Sequence, residues 1–160
     1  MSVRPAAVWV AVMAATVSVV AGCGGSTPAP TSTVADGTTV DASRYLADSA
    51  AGAAATRAFA SALESVGAPA TPARLRAVSV QLEPPLASAR LVGQRLAAER
   101  LADRRLDEQR GRNAVAFGAI IAVMERVQAA AEAGDPAGTR AASQELAVTI
   151  EALRDATPPG

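Results

Sequence analysis

Cys23 is the only cysteine in the chain, and its thiol is the strongest nucleophile that the sequence offers. Two small residues, Ala21 and Gly22, stand directly before it, and Val20 precedes them. An intramolecular disulfide needs a second cysteine, which this chain lacks. A free thiol exposed in an oxidising compartment is open to oxidation. We therefore expect Cys23 to be modified covalently.

The residues before Cys23 have the three parts of an export signal. Met1 to Pro5 carries positive charge through Arg4 and the α-amino group, and residues 6–20 form an apolar run without a charged side chain. That run is shorter than the roughly 20 residues that span the hydrocarbon core of a bilayer. Residues 1–22 are therefore predicted to be a signal peptide.

Residues 1–23 resemble the signal of a bacterial lipoprotein precursor, with Val20, Ala21 and Gly22 as the lipobox before Cys23. The resemblance implies cleavage between Gly22 and Cys23, and a diacylglycerol on the sulfur of Cys23. Two acyl chains anchor a protein stably, whereas one gives weak, reversible binding. The implied location is the extracytoplasmic face of the cell membrane. The alternatives are a signal that is cleaved to leave a free thiol, and a signal anchor that is retained.

Other side chains offer little chemistry. The chain has no histidine, which is the commonest general base and the commonest metal ligand. Asp107 forms carboxylate pairs with Asp103 and with Glu108, but all three lie in the Arg-rich segment 99–112, where ion pairing is the simpler role. No serine stands in a known nucleophile motif. We predict no catalytic residue, no metal site and no cofactor, and hence a non-enzymatic protein.

Charge is balanced, with 15 basic and 15 acidic side chains, and all the basic ones are arginine. A balanced chain has no general attraction to nucleic acid, so no nucleic-acid partner is predicted. Residues 86–112 hold seven arginines and four acids, whereas residues 113–157 hold three arginines and six acids. We expect these segments to pack side by side and neutralise each other. The alternative is a basic patch that binds anionic lipid or an acidic wall polymer.

Composition divides the chain into three parts. After the signal at 1–22, residues 23–40 comprise the lipidated cysteine and a small, polar, proline-containing linker that we expect to be flexible. Residues 41–157 are rich in alanine, the best helix former. They predict an all-α domain, a small antiparallel bundle of four or five helices.

The first two helices have clear boundaries. Residues 41–66 place Tyr45, Gly52 and Phe59 seven residues apart on one stripe, and Gly67 with Pro69 ends the helix. Thr71-Pro72 begins the next helix with a hydroxyl cap and a proline at the first position. Residues 78–82 also alternate as a strand would. Pro84-Pro85 is expected to break or sharply kink this element.

A long helix is predicted from Pro85 to about Arg110, with Leu91, Val92, Ala98, Ala102 and Leu106 on one side. Its Arg-Leu repeat every five residues spreads leucines around the axis. The helix therefore contacts partners on two sides, or lies between two neighbours in the bundle. Gly111 and Asn113 either end this helix or form a weak point within it. Residues 114–124 are apolar on every face, which predicts a buried central helix.

The last helix follows a turn at Gly134-Asp135-Pro136, and its stripe is Ala142, Leu146, Ile150 and Leu153. These observations predict a lipid-anchored interaction or structural protein of the cell envelope, with a protein partner there. The alternative is a small-ligand or lipid-binding module with a cavity between its helices. An apolar cavity favours the ligand role, whereas a solid core with an exposed apolar stripe favours the interaction role.

Overall fold

The computed structural model describes residues 39–156, with side chains as far as Leu153. The all-α prediction is confirmed, because helices make up 85% of the structure. In chain order the elements are β1 (Thr39–Val40), α1 (Ala42–Glu64), α2 (Pro72–Ala98), β2 (Arg100–Leu101), α3 (Arg104–Ala133) and α4 (Pro136–Ala156). The two strands form a parallel pair, with Thr39 beside Arg100 and Val40 beside Leu101.

Helix α1 follows the predicted stripe. The Asp41 side chain accepts a hydrogen bond from the Arg44 amide and so caps the first turn. Tyr45, Gly52 and Phe59 are all buried, as their seven-residue spacing predicted. The helix ends at Glu64, three residues before Gly67, which has a φ of 63°.

Helix α2 begins as predicted, because Thr71 Oγ1 accepts a hydrogen bond from the Arg74 amide. The strand alternative for residues 78–82 is wrong, since they are helical. The expected break at Pro84-Pro85 is also wrong, because one helix runs through both prolines. The carbonyls that lose their donors belong to Val80 and Gln81, which are exposed. Water can satisfy carbonyls on the solvent side of a helix, which lowers the cost of the prolines.

The predicted helix from Pro85 to Arg110 is wrong, because α2 ends at Ala98 and α3 begins at Arg104. Glu99 has extended backbone angles, and β2 follows it. Asp103 then caps α3 by accepting from the Leu106 amide at 2.9 Å. The extended segment is stabilised because Leu101 is buried and pairs with β1. The apolar stripe predicted along one side of this helix is also wrong, because Leu91, Ala98 and Ala102 are exposed.

Helix α3 continues through Gly111 and Asn113 without interruption. The prediction that residues 114–124 are buried on every face is wrong. Phe117, Ile120 and Met124 are buried, but Val115 is 78% exposed, and Gly118, Ala119 and Ala122 are exposed with it. Hydropathy alone does not reveal this side, because three of its four residues are glycine or alanine, which are common in both environments.

Helix α4 starts at the predicted turn. Gly134 has a φ of 67°, and its left-handed conformation ends α3. Asp135 Oδ1 accepts from the Ala137 amide at 3.0 Å and so caps the first turn of α4. Ala142 and Leu146 are buried, and Ile150 and Leu153 pack against the same core.

One hydrophobic core joins the helices. Helix α2 packs against α1 and α3, and α3 packs against α4. The largest fully buried side chains come from α1, α2 and α3: Phe59, Leu75, Leu82, Leu86, Met124 and Val127. The strand pair closes one end of this core, because Val40 and Leu101 are both buried there. That end is also where the chain from Cys23 enters the described domain.

Candidate functional site

The junction where β1 enters the helical domain concentrates the buried charge of the described residues. Among the described residues, the buried carboxylates are Asp48 and Glu99 and the buried guanidinium is Arg110. Glu99 adjoins β2, Asp48 lies in the second turn of α1, and Arg110 lies in the second turn of α3. Three elements therefore bring ionisable groups to the point at which the linker joins the fold.

The first network at the junction joins α1 to the end of α2. Arg44 Nε donates to Glu99 Oε1 at 2.8 Å and lies 4.0 Å from Asp48 Oδ2. Arg95 Nη1 donates to Asp48 Oδ1 at 3.3 Å. The side chains of Asp48 and Glu99 are only 8% and 6% exposed. Such pairs are costly to break, since removal of one partner leaves a buried charge without compensation.

Two carboxylate oxygens of this network are buried without a hydrogen-bond donor. They are Asp48 Oδ2 and Glu99 Oε2, and the neighbouring Ser49 hydroxyl is in the same state. Arg44 and Arg95 already balance the two negative charges. An additional cation would therefore meet two fixed positive charges. Among the described residues, no group of three or more acidic, histidine or cysteine side chains could hold a metal ion.

The second network ties β2 to the start of α3. Asp107 Oδ1 accepts from Arg110 Nε at 2.7 Å and from the Leu101 amide at 3.0 Å. The guanidinium of Arg110 also donates to the Leu96 carbonyl. The hydrogen bond from Arg110 holds the pKa of Asp107 below its ordinary value of 3.8, although burial acts in the opposite direction. Asp107 therefore remains ionised and bonded to the β2 backbone.

The residues that the sequence singled out for chemistry are not brought together into one site among the described residues. Cys23, with Val20, Ala21 and Gly22, lies outside the described residues. Asp107 and Glu108 are ion-paired as predicted, since Arg104 Nε lies 3.1 Å from Glu108 Oε1. Asp103 caps α3 instead of pairing with Asp107. The acids of the junction are thus engaged by arginines or backbone amides, which suits them to holding elements together.

The buried network of Asp48 and Glu99 was missed by sequence reasoning. A signal for Asp48 existed, because it lies one turn from both Tyr45 and Gly52 on the apolar stripe of α1. A carboxylate on such a stripe is buried and therefore needs a partner. Glu99 carried no comparable signal. Its burial follows from the extended segment after α2, which the Arg-Leu repeat concealed.

Segments 86–112 and 113–157 were predicted to pack side by side and neutralise each other's charge. They are not separate neighbours, because α3 contains parts of both. Arg90 of α2 pairs with Glu125 of α3 at 2.9 Å, and Arg126 of α3 pairs with Glu145 of α4 at 2.6 Å. Arg105, by contrast, is exposed and has no carboxylate within 4.0 Å among the described side chains. The charge pairs therefore join neighbouring helices individually.

Helix α3 is long and apolar enough to cross a membrane by length and composition alone. In its most apolar stretch, 39% of the residues are buried inside the domain, and its inner side chains Phe117, Ile120 and Met124 belong to the common core. The core helix of a soluble bundle has the same composition, so this feature by itself does not indicate a span.

Two clefts open at the end of the domain where α1 joins α2. One, of about 450 Å³, runs between the α1–α2 connection and α2 and includes Val66, Arg74 and Gln81. The other, of about 170 Å³, is lined by Leu63 of α1, by Leu75 of α2 and by residues at the start of α4, including Thr139. Both are open to solvent, unlike an enclosed apolar cavity between helices.

Comparison with known proteins does not assign this fold or junction to a family, since no family model, curated protein or solved structure matches the chain.

Proposed function

We propose that this protein is an extracytoplasmic lipoprotein, anchored in the bacterial cell membrane through Cys23, that acts as a non-enzymatic interaction or structural protein of the cell envelope. The observation that carries the proposal is the sequence Val20-Ala21-Gly22-Cys23 after an uncharged apolar run. The lone thiol stands where a lipoprotein precursor is acylated, and residues 24–38 then connect it to β1.

The junction at β1 supports a structural role for this end of the domain. The chain enters the domain through a strand that pairs with β2. One charge network ties α1 to the end of α2, and the other ties β2 to α3. A pull on the linker is therefore opposed by backbone pairing and by buried ion pairs. Such a connection suits a domain that is held to a surface by its N-terminal side.

The domain itself we infer to be an antiparallel bundle. Near the start of α2, Arg76 Nη2 donates to the carbonyl of Ala133 at the end of α3. At the other end of α2, the Leu96 carbonyl accepts from Arg110 in the second turn of α3. In the same manner, Arg95 near the end of α2 contacts Asp48 near the start of α1. These contacts support opposite directions for successive helices.

The side chains support an interaction role more than a catalytic one. The buried acids at the junction contact arginines that hold elements together, and the described helices expose several large apolar side chains: Leu46, Val80, Leu91, Val115 and Val148. They lie on four different helices, and a protein-binding face is marked by a contiguous apolar patch more than by single exposed residues. The second candidate, a small-ligand module, has less support, because the 450 Å³ cleft beside Arg74 is open to solvent and is not an enclosed cavity between helices.

The anchor is tested by the intact mass of the full-length protein extracted from membranes. We expect loss of residues 1–22 and the added mass of a diacylglycerol on Cys23, with a further acyl chain where the new N-terminus is modified. Cys23→Ser should abolish both acylation and cleavage. A matched control, Cys23→Ser with Ser26→Cys, retains one thiol but moves it away from the lipobox, and it should remain unacylated.

Two outcomes would contradict the anchor. A mature protein that still begins at Met1 would indicate a retained signal anchor, and a mature protein with a free thiol at Cys23 would indicate an ordinary cleaved signal. Acylation of the displaced cysteine in the control would show that the lipobox does not direct the modification.

A further inference from the structure

The connection between α2 and α3 lacks the residues that end helices elsewhere in the domain. The described chain has three connections between helices, and two of them have glycine and proline at the helix ends: Gly67 and Pro69 after α1, and Gly134 and Pro136 after α3. Residues 99–103, by contrast, read Glu-Arg-Leu-Ala-Asp, and the first four of these are good helix formers. The local sequence therefore favours one continuous helix where the structure has a turn.

The turn at residues 99–103 takes its extended backbone from pairing with β1. Strand β2 lies parallel to β1 at two positions, one of which places Val40 beside Leu101. These two side chains are buried, at 9% and 8% exposure. Strand β1 is the end of the predicted linker segment 23–40. The turn between α2 and α3 is thus stabilised by residues that arrive from the linker.

Other contacts also favour the turn, but they do not replace β1. Asp103 caps α3, and Asp107 Oδ1 accepts from the Leu101 amide at 3.0 Å. A continuous helix would give up both contacts, so the turn is preferred while β1 is in place. Without β1, Leu101 loses its neighbour Val40 and β2 loses its strand partner. A helix, by contrast, pairs the backbone groups of its own interior.

We propose that β1 is a strap that selects between two arrangements of the chain. With β1 in place, α2 and α3 form a hairpin within one copy. When β1 leaves, residues 99–103 become helical, α2 and α3 join into one helix, and two copies exchange their α3–α4 halves. Such an exchange is a low-cost route to a dimer, because each copy reuses contacts that the single copy already makes.

The exchanged dimer needs no new apolar surface. The inference rests on the antiparallel direction of α2 and α3 proposed above, and it does not depend on acylation of Cys23. Two joined helices would then cross at a twofold axis near residue 101, where Leu101 of one copy meets Leu101 of the other. The core side chains of α2 pack against α3 of the second copy as they pack against their own α3 in the hairpin. A load on residues 24–38 acts on β1 first, which makes the strap responsive to the linker.

Arg90 and Glu125 report the exchange. Arg90 Nε of α2 lies 2.9 Å from Glu125 Oε1 of α3, and the two side chains are 43% and 45% exposed. In a full-length Cys23→Ser background, Arg90→Cys and Glu125→Cys are placed in separate copies with tags of different length and coexpressed. We expect a short bismaleimide to link the two copies when both also carry Val40→Asp, and not to link them when β1 is unchanged.

Three matched variants control this measurement. Both cysteines in one copy with β1 unchanged should be linked within that copy, which shows that the reagent spans the pair. Thr39→Asp adds the same charge at the exposed neighbour of Val40 and should leave separate copies unlinked. Ala102→Gly combined with Val40→Asp should abolish the link, because glycine inside a helix disfavours the joined helix.

Sedimentation in mild detergent gives a second measurement on the Cys23→Ser background. We expect Val40→Asp to double the protein mass, and the unchanged strap and Thr39→Asp to give the mass of one copy. Circular dichroism should show that Val40→Asp keeps its helices. If it does not, Val40→Ala, which only shortens the side chain, takes its place and is expected to yield the same link between copies.

Each other outcome overturns the proposal. A folded Val40 variant that stays monomeric and unlinked would show that β1 does not prevent exchange. Dimers that form with β1 unchanged would show that the strap does not select between the arrangements. A link between two Arg90→Cys copies would indicate association through the outer side of α2, and a link that Ala102→Gly does not reduce would exclude the joined helix.

Discussion

At the scale of single residues, Asp107 connects three parts of the junction. Its Oδ1 atom accepts hydrogen bonds from the β2 backbone and from Arg110, whose side chain is only 6% exposed. Arg110 in turn donates to the end of α2. Removing the carboxylate would leave a buried guanidinium without its counter-charge, which is among the more costly single changes in a small domain.

We predict that Asp107→Asn lowers the free energy of unfolding by about 1.5–3 kcal/mol at pH 7, the value typical of hydrogen bonds that involve a charged group. The pKa of Asp107 is lower in the folded protein, so its contribution is complete above the unfolded pKa and is lost as pH falls through the folded pKa. Urea unfolding from pH 7 down to about pH 2 should therefore show a smaller acid-induced loss in Asp107→Asn than in the wild type.

Glu151→Gln serves as the control for this prediction, because Glu151 is exposed on α4 and makes no ion pair with a described side chain. It should match the wild type within about 0.5 kcal/mol at pH 7. An equal effect of the two substitutions would show that the Asp107–Arg110 pair does not stabilise the junction. The ion pair of Asp107 was predictable from the three-residue spacing to Arg110, but its bond to β2 was not.

At the scale of elements, two glycines of similar sequence context have different roles. An added Cβ at Gly52 of α1 would lie 3.0 Å from Cζ of Phe117 and 3.3 Å from Cγ1 of Val92. An added Cβ at Gly118 of α3 would meet nothing within 4 Å. Gly52 therefore permits α1 to approach α2 and α3 closely, whereas Gly118 lies on the solvent side of its helix.

We predict opposite signs for the two alanine substitutions. Gly52→Ala should lower the free energy of unfolding by about 1 kcal/mol, because the packing strain against a rigid aromatic ring exceeds the gain in helix propensity. Gly118→Ala should raise it by about 0.5–1 kcal/mol, since alanine stabilises an exposed helix interior. Urea unfolding of the two variants beside the wild type measures both, and a stabilising Gly52→Ala would contradict the close approach.

Element boundaries were predictable where capping residues stood next to a stripe. Thr71-Pro72 and Gly134-Asp135-Pro136 predicted the starts of α2 and α4 correctly, because caps act within one turn. The division between α2 and α3 was not predictable in this way. Asp103 is a good N-cap, but the Arg-Leu repeat around it has high helix propensity, and the extended segment depends on β1, which lies some 60 residues earlier in the chain.

At the scale of the whole molecule, charge is balanced within the described domain as it is in the full chain. Residues 39–156 contain 14 arginines and 14 carboxylates, since Arg4 and Asp36 fall outside. The junction end has exposed arginines, including Arg104 and Arg105, but Arg104 pairs with Glu108. A domain without net charge has weak long-range attraction to an anionic surface.

We therefore predict that residues 39–160, made without the signal and linker, form a soluble helical domain that does not bind anionic vesicles. Replacing both Arg104 and Arg105 with Gln should change neither the vesicle result nor, by more than about 1 kcal/mol, the stability, because exposed ion pairs contribute little. Cosedimentation with vesicles at low and high salt makes the comparison. Salt-sensitive binding by the wild type that the double variant loses would instead identify a lipid-binding patch.

Local features could be read from the residues alone: the lone thiol with its lipobox pattern, the all-α class, the capped starts of α2 and α4, and the buried stripes of α1 and α4. Each depends on residues within a few turns of one another, where spacing and capping act directly. The end of α2, the burial of Glu99, the partners of Asp48 and the exposed sides of α2 and α3 depended on the packing of the helices. Those features depend on which neighbour covers a face, and alanine, the commonest residue here, is compatible with either side of a helix.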